Sequence, residues 1–280
     1  MKVVERLAHL RQVRTTLPDP FGLIPTMGFL HEGHLSLVRQ AKQECDSVGV
    51  SIFVNPTQFG PSEDLAAYPG DLERDLDMLD QAEVDLVWTP AVEELYPEGP
   101  PTWVTVDDLT EVLEGAQRPD HFRGVTTVVT KLLNAFQPNK AYFGQKDAQQ
   151  ARVIQRMTED LLVPVDIVIC PIVREPDGLA MSSRNTYLNP EQRQAATVLS
   201  QALGSAAELY ESGQRDAAAL RERMIEIIAT QPIAQAQYIS VADPESLKEL
   251  EGDIDHGFLS MAVFIGKTRL IDNRLLGSKA

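Results

Sequence analysis

Three groups of residues in this chain have types and spacings suited to phosphate. His31 and His34 stand three apart just past Gly28, Lys146 follows Gly144 and Gln145, and Ser182-Ser183-Arg184 forms a late run of hydroxyls and guanidinium. On a helix, residues three apart share a face, so both imidazoles can address one anion. The plainer alternative is a tight glycine loop carrying two surface histidines. Zinc of the helical metalloprotease kind is disfavoured, because that site needs histidines four apart with glutamate directly after the first.

The elements that must position these groups follow from hydrophobic patterning. Leu23-Ile24, then Pro25 and Gly28, then Leu35, Leu37 and Val38 at helical spacing, read as strand, glycine turn and helix N-terminus. Unpaired N–H groups and the helix dipole make such a start a seat for an anion. Ala141-Tyr142-Phe143, Gly144 and a helix to about Leu161 repeat that order. Between them, residues 48–54 form a continuous apolar run of the buried parallel-strand type, ending at Asn55-Pro56-Thr57-Gln58. In open α/β sheets ligands sit beyond the carboxyl ends of strands, so the turns at 28–34, 55–60 and 144–150 are expected to line one crevice.

The same patterning predicts a helix over 1–16, an amphipathic helix over 62–80 with a solvated acidic face, a strand over 84–88 and a loop rich in proline and glutamate through Pro101. A polar turn, Arg118 to Gly124, leads into a helix over 125–136. Two readings of Arg118, His121 and Arg123 stand open: they cap that helix, or they touch a ligand. A strand over 165–170 follows. Asn189-Pro190-Glu191-Gln192 is a helix start with a capping residue, and helices fill about 190–212 and 215–229. Strands over 237–241, 260–265 and 268–271 close the chain. The expectation is an α/β fold: a Rossmann-like doubly wound parallel sheet over residues 1–173 and a smaller α+β domain over 174–280.

The 41 acids and 25 bases leave a net charge of -16, which argues against nucleic acid as a partner held by a broad basic face. A local cluster of bases still acts within the ~8 Å screening length, so an anionic small substrate is compatible with that charge. No apolar run approaches the ~20 residues that cross a bilayer, and the first residues lack the pattern of a signal peptide, so no membrane association and a cytoplasmic location are expected. Cys45 and Cys170 are too few and too far apart in sequence for a disulfide framework and read as free thiols.

The histidine pair and the late Met181-Ser182-Ser183-Arg184 loop resemble the HIGH and KMSKS signatures of the nucleotidyltransferase superfamily. The resemblance narrows with PTMGFLHEGH (25–34), SIFVNPTQF (51–59), DLAAYP (64–69), AYFGQKDAQQ (141–150), LAMSSRNTYL (179–188) and the terminal GKTRLIDN. Together, in this order and over nearly the whole chain, these resemble the pantothenate synthetase (pantoate–β-alanine ligase) family.

That resemblance implies ATP-dependent formation of pantoyl adenylate, then capture by β-alanine. It places His31, His34, Lys146, Ser182, Ser183 and Arg184 on the ATP phosphates, Gly144 and Asp147 on the ribose, and Met27 and Met181 beside the nucleotide. Gln58 and Gln150, with Asn55, would hold pantoate; a carboxamide suits its hydroxyls because it both donates and accepts. Magnesium would bridge ATP oxygens, with Asp75 a nearby carboxylate, and the protein would be a homodimer. The second domain would act as a lid that keeps water from the adenylate. The family commonly has arginine after Tyr68-Pro69, where this chain has Gly70; the expected consequence concerns loop ordering more than chemistry. The rival readings are a nucleotidyltransferase of the same superfamily acting on another small acid or phosphate ester, and a silent nucleotide-binding regulator.

Overall fold

Strand β2 (Phe21–Thr26) owes its form to an apolar run whose side chains alternate between two covered faces. Phe21 and Leu23 enter one hydrophobic cluster and Ile24 the other. The structure, a computed structural model, describes residues 1–61, 63–97 and 102–277. Residue 62 and residues 98–101, at the end of the loop expected through Pro101, lie outside the described residues.

The chain divides into two compact units. The first comprises residues 1–110, 118–145 and 150–171; the second takes residues 172–280 together with 111–117 and 146–149. The first unit is built on six parallel strands: β1 (Lys2–Val4), β2, β3 (Ser47–Ile52), β4 (Leu86–Trp88), β5 (Lys140–Gly144) and β6 (Asp166–Cys170). Their spatial order is β1-β4-β3-β2-β5-β6, so the winding reverses between β2 and β5.

Helices α1 (Leu7–Arg14) and α6 (His121–Phe136) cover one face of that sheet, packing Leu10, Val129 and Phe136 onto Phe21 and Trp88. Helices α2 (Glu32–Glu44) and α3 (Leu72–Gln81) cover the other, packing Val38, Ala41 and Leu79 onto Ile24 and Val50. A parallel sheet buried on both faces is the doubly wound architecture expected from the sequence. The single turn α4 (Val92–Leu95) anchors Leu95 in the first cluster.

In the second unit, β7 (Ala234–Ala242), β8 (Gly257–Ile265) and β9 (Thr268–Leu276) form an antiparallel sheet. Helices α8 (Pro190–Ala195), α9 (Val198–Glu211) and α10 (Ala217–Ile228) pack on it through Ala195, Leu203, Leu220 and Met224. The short helix α5 (Leu113–Gln117) belongs to this unit, while α7 (Ala148–Asp160) has its first two residues here and the rest in the first unit.

Several expected elements change on folding. Residues 2–4 leave the helix predicted over 1–16 and pair with β4 in register Lys2↔Leu86, a nonlocal partner that local periodicity cannot reveal. The helix predicted over 62–80 begins only at Leu72. Pro69-Gly70 interrupts it, Asp71 caps it by accepting the Arg74 N–H, and a separate 3₁₀ turn occupies Leu65–Ala67. The helix predicted over 125–136 starts at His121 and so carries His121 and Arg123. The helix predicted over 190–212 splits at Ala196-Thr197, although its Asn189 and Gln192 form the expected reciprocal cap.

Candidate active site

The turn from β2 into α2 runs through left-handed backbone at Gly28 (φ 81°) and, without glycine's freedom, at Phe29 (φ 51°). A Cβ at position 28 would lie 3.0 Å from both an Asp75 oxygen and Ile52 Cγ2, so glycine is required there on two counts. Asp75, reaching over from α3, holds the strained turn. Its Oδ2 accepts the Phe29 N–H at 2.6 Å and its Oδ1 the Leu30 N–H at 2.7 Å. Asp75 is only 1 % exposed, and burial raises its carboxyl pKa against the lowering pull of those two donors.

The turn delivers the histidine pair to the first turn of α2. His31 is the capping residue: its Nδ1 accepts the Gly33 N–H at 3.1 Å, while His34 Nδ1 accepts the His31 N–H at 3.3 Å. The ring centroids lie 4.1 Å apart. Because each Nδ1 accepts, the neutral imidazoles carry their protons on Nε2. The pair therefore presents N–H donors at a helix N-terminus, the electrostatic arrangement that favours an anion.

Beyond β3, the 55–58 turn is locked from behind. Asn55, 1 % exposed, donates from Nδ2 to Gln58 Oε1 (3.0 Å) and to Gly124 O (3.2 Å), while its Oδ1 accepts from the hydroxyls of Thr57 and Tyr96, each at 2.9 Å. Gln58 Nε2 donates to Met27 Sδ at 3.2 Å, which joins this turn to the β2–α2 turn. Helix α6 presses against the same segment: a Cβ on Gly124 would come within 2.4 Å of Thr57 O.

From that helix His121 Nδ1 donates to Gln58 O at 2.8 Å, and its Nε2 accepts from Arg118 at 3.1 Å. Arginine can only donate, which fixes the imidazole proton on Nδ1. Glu63 grips Arg118 through two 2.7 Å bonds. Burial would raise the Glu63 carboxyl, but the Arg118 fork overcomes it and holds the group below its ordinary value. Arg118 and His121 thus buttress the backbone of Gln58, a role between the two readings open from sequence. Arg123 turns away to Asp120 and stacks over Trp103.

Strand order sets these turns side by side. Register pairs Thr26 with Ile52 and Leu23 with Ala141; continued along the strands, it sets Gly144 level with Thr26. The carboxyl ends of β3, β2 and β5 therefore adjoin, with the winding reversal between β2 and β5. Ligands bind at such a switch point. Gly144 ends β5, and Gln150 lies half-buried in the first turns of α7.

The remaining expected residues lie in the second unit. Lys146 and Asp147 are neighbours, 3.5 Å apart at Nζ and Oδ1. Ser182 caps a 3₁₀ turn, accepting the Arg184 N–H; Ser183 is buried, and Met181 donates its N–H to Val173 O. Sequence reasoning passed over the residues that fix these groups: Glu63 and Tyr96 in the first unit, Asp272 and Asn273 in the second. For the last pair a signal existed, a polar run directly after Leu270-Ile271 at the end of GKTRLIDN. Among the described residues no group of three or more His, Cys, Asp or Glu could hold a metal ion, and no helix is long and apolar enough to cross a membrane.

Comparison with known proteins points to one family. The Pantoate-beta-alanine ligase family model matches residues 2–275. A pantothenate synthetase of Roseiflexus sp. (strain RS-1) is 58 % identical over 276 residues, 99 % of each chain. That of Thermoanaerobacter pseudethanolicus is 52 % identical over 280 residues, again 99 % of each. The crystal structure of pantothenate synthetase from Thermus thermophilus superposes with a TM-score of 0.94 at 46 % identity, covering 98 % of this chain and 99 % of that one. The pantoate-beta-alanine ligase of Francisella tularensis, solved with beta-gamma ATP and beta-alanine, gives 0.79 at 35 % identity, covering 100 % and 99 %. A model match over nearly the full length, with relatives at more than half identity, means that the chain belongs to the pantoate-beta-alanine ligase family.

Proposed function

We propose that this protein joins pantoate to β-alanine at the expense of ATP, giving pantothenate, AMP and pyrophosphate by way of pantoyl adenylate. The observation that carries the reading is the pair of imidazoles whose Nδ1 atoms are occupied by backbone N–H groups, which makes Nε2–H the donor end at a helix N-terminus. In the first step a pantoate carboxylate oxygen attacks the α-phosphorus and the bond to the β-phosphate oxygen breaks, so negative charge gathers on pyrophosphate. His31 and His34, with Lys146, Ser182, Ser183 and Arg184, stabilise that charge. In the second step the β-alanine amine attacks the acyl carbon, the bond to AMP breaks and the amine gives up a proton. Pantoate brings its own nucleophile, so the protein supplies position and electrostatics.

Met27 and Met181 flank the nucleotide, Gly144 and Asp147 meet the ribose, and Gln58 and Gln150 hold pantoate. Asn55 acts behind Gln58: its Nδ2 donates twice and its Oδ1 accepts from two hydroxyls, whereas Gln58 Nε2 and Oε1 each make one such bond and keep capacity for a ligand. Magnesium would have to travel with ATP. Asp75 does not fit a cation: it is buried, and each oxygen is taken by a backbone N–H. A homodimer and a cytoplasmic location complete the proposal; the first rests on family likeness, and analytical ultracentrifugation tests it. The catalytic reading is tested by AMP release with pantoate and β-alanine omitted in turn. Full release only with both is expected, and a stable nucleotidylated product would establish the superfamily alternative instead.

A further inference from the structure

Asp272 and Asn273 are consecutive residues of β9, 2 % and 4 % exposed. Buried polar side chains in a strand need partners, and theirs are specific. Both Asp272 oxygens accept from Arg174, at 2.6 and 2.9 Å. Arg174 also donates to Gly178 O at 3.0 Å and bridges Ala180, which closes the turn leading directly into Met181–Arg184. Asn273 Nδ2 donates to Lys146 O at 2.9 Å. Neighbouring side chains of one strand thus hold two segments distant in sequence. A second tie reaches the 146–149 segment from β9: Arg269 grips Glu114, whose N–H donates to Gln149 Oε1, and Gln149 Nε2 donates to Val112 O.

We infer that Asp272 and Asn273 are positioning residues that hold Lys146 and the Met181–Arg184 loop in fixed register on β9. The inference rests on the reading that those two segments bind ATP phosphates. Electrostatic stabilisation depends on donors already in place, and displacement by about 1 Å is enough to cost on the order of 10²-fold in rate. Neither residue is asked to touch substrate; Asn273 acts through the Lys146 backbone, and Asp272 through Arg174 and the turn that leads into Met181–Arg184. This also accounts for the terminal DN of GKTRLIDN, which the phosphate-binding groups by themselves leave unexplained.

The test is a pair of double-mutant cycles in the full-length protein, Asn273→Ala with Lys146→Ala and Asp272→Asn with Arg184→Ala, with kcat and KM measured for each substrate. Asn273→Ala and Asp272→Asn should each lower kcat/KM for ATP about tenfold or more while KM for β-alanine stays unchanged. In the Lys146→Ala and Arg184→Ala backgrounds they should cost little further. Losses that multiply in the double variants, or equal changes in KM for all substrates, overturn the inference. If Lys146→Ala and Arg184→Ala alone leave the ATP parameters untouched, the phosphate-binding reading itself falls. Asn273→Asp, which keeps the shape and removes the donor, replaces Asn273→Ala should the latter not fold.

Discussion

His34 Nδ1 accepts the backbone N–H of His31 at 3.3 Å, so the second histidine of the pair is part of the helix start that presents the first. On the proposed function, capping and chemistry share the same two rings, and substitutions can separate them. His31→Ala and His34→Ala are expected to lower turnover by ~100-fold or more with little change in ATP affinity, because the charge they meet develops in the transition state. An equal loss seen wholly in nucleotide binding would contradict this.

Asparagine at position 31 can place an oxygen where Nδ1 stands but has nothing at Nε2. His31→Asn should keep the thermal midpoint of the parent while losing turnover as fully as His31→Ala. The alanine variant should also lose about 1 kcal/mol of stability with its cap. Calorimetry alongside steady-state kinetics checks both halves.

Gln58 sits 8 % exposed with its amide fixed by Asn55 and Met27. Gln58→Ala should raise KM for pantoate and leave that for β-alanine nearly unchanged. Equal effects on the two would remove the assignment.

Asp75 accepts the N–H groups of both Phe29 and Leu30. Asp75→Ala removes that acceptor from two donors beside a strained residue and should cost about 3 kcal/mol, read from urea unfolding. Its effect on kcat should follow that of the histidine variants, since the turn carries them.

Glu63, held below its ordinary carboxyl range by Arg118, protonates less readily folded than unfolded. Its contribution to stability is present above the unfolded pKa and is lost as pH falls through the folded one, from roughly pH 5 downward. Unfolding free energy measured against pH should show a flatter acid limb in Glu63→Gln. An unchanged limb would mean that the Glu63–Arg118 pair contributes nothing.

The sequence by itself determined the doubly wound sheet and the order of the turns that end its strands. Leu23-Ile24, Val48 to Ile52 and Tyr142-Phe143 are short, largely apolar runs bounded by turn residues, the mark of buried strands, and each is followed by a residue suited to a turn: Gly28, Asn55 and Gly144. It also determined the cap at Asn189, because a capping box is written in four consecutive residues. Tertiary structure decided what local pattern cannot encode. Residues 2–4 became a strand because β4 was there to pair with, not because their spacing differs from a helix. Asp75 lay in an acidic stretch that reads as a solvated face, yet one turn of α3 carries it into the protein, where each of its two oxygens accepts an N–H from a segment forty-odd residues away. His121, Arg118 and Glu63 form a chain whose meaning depends on Gln58 being at its end. The supports of a site are long-range hydrogen bonds, and a hydrogen bond leaves no periodicity in the sequence.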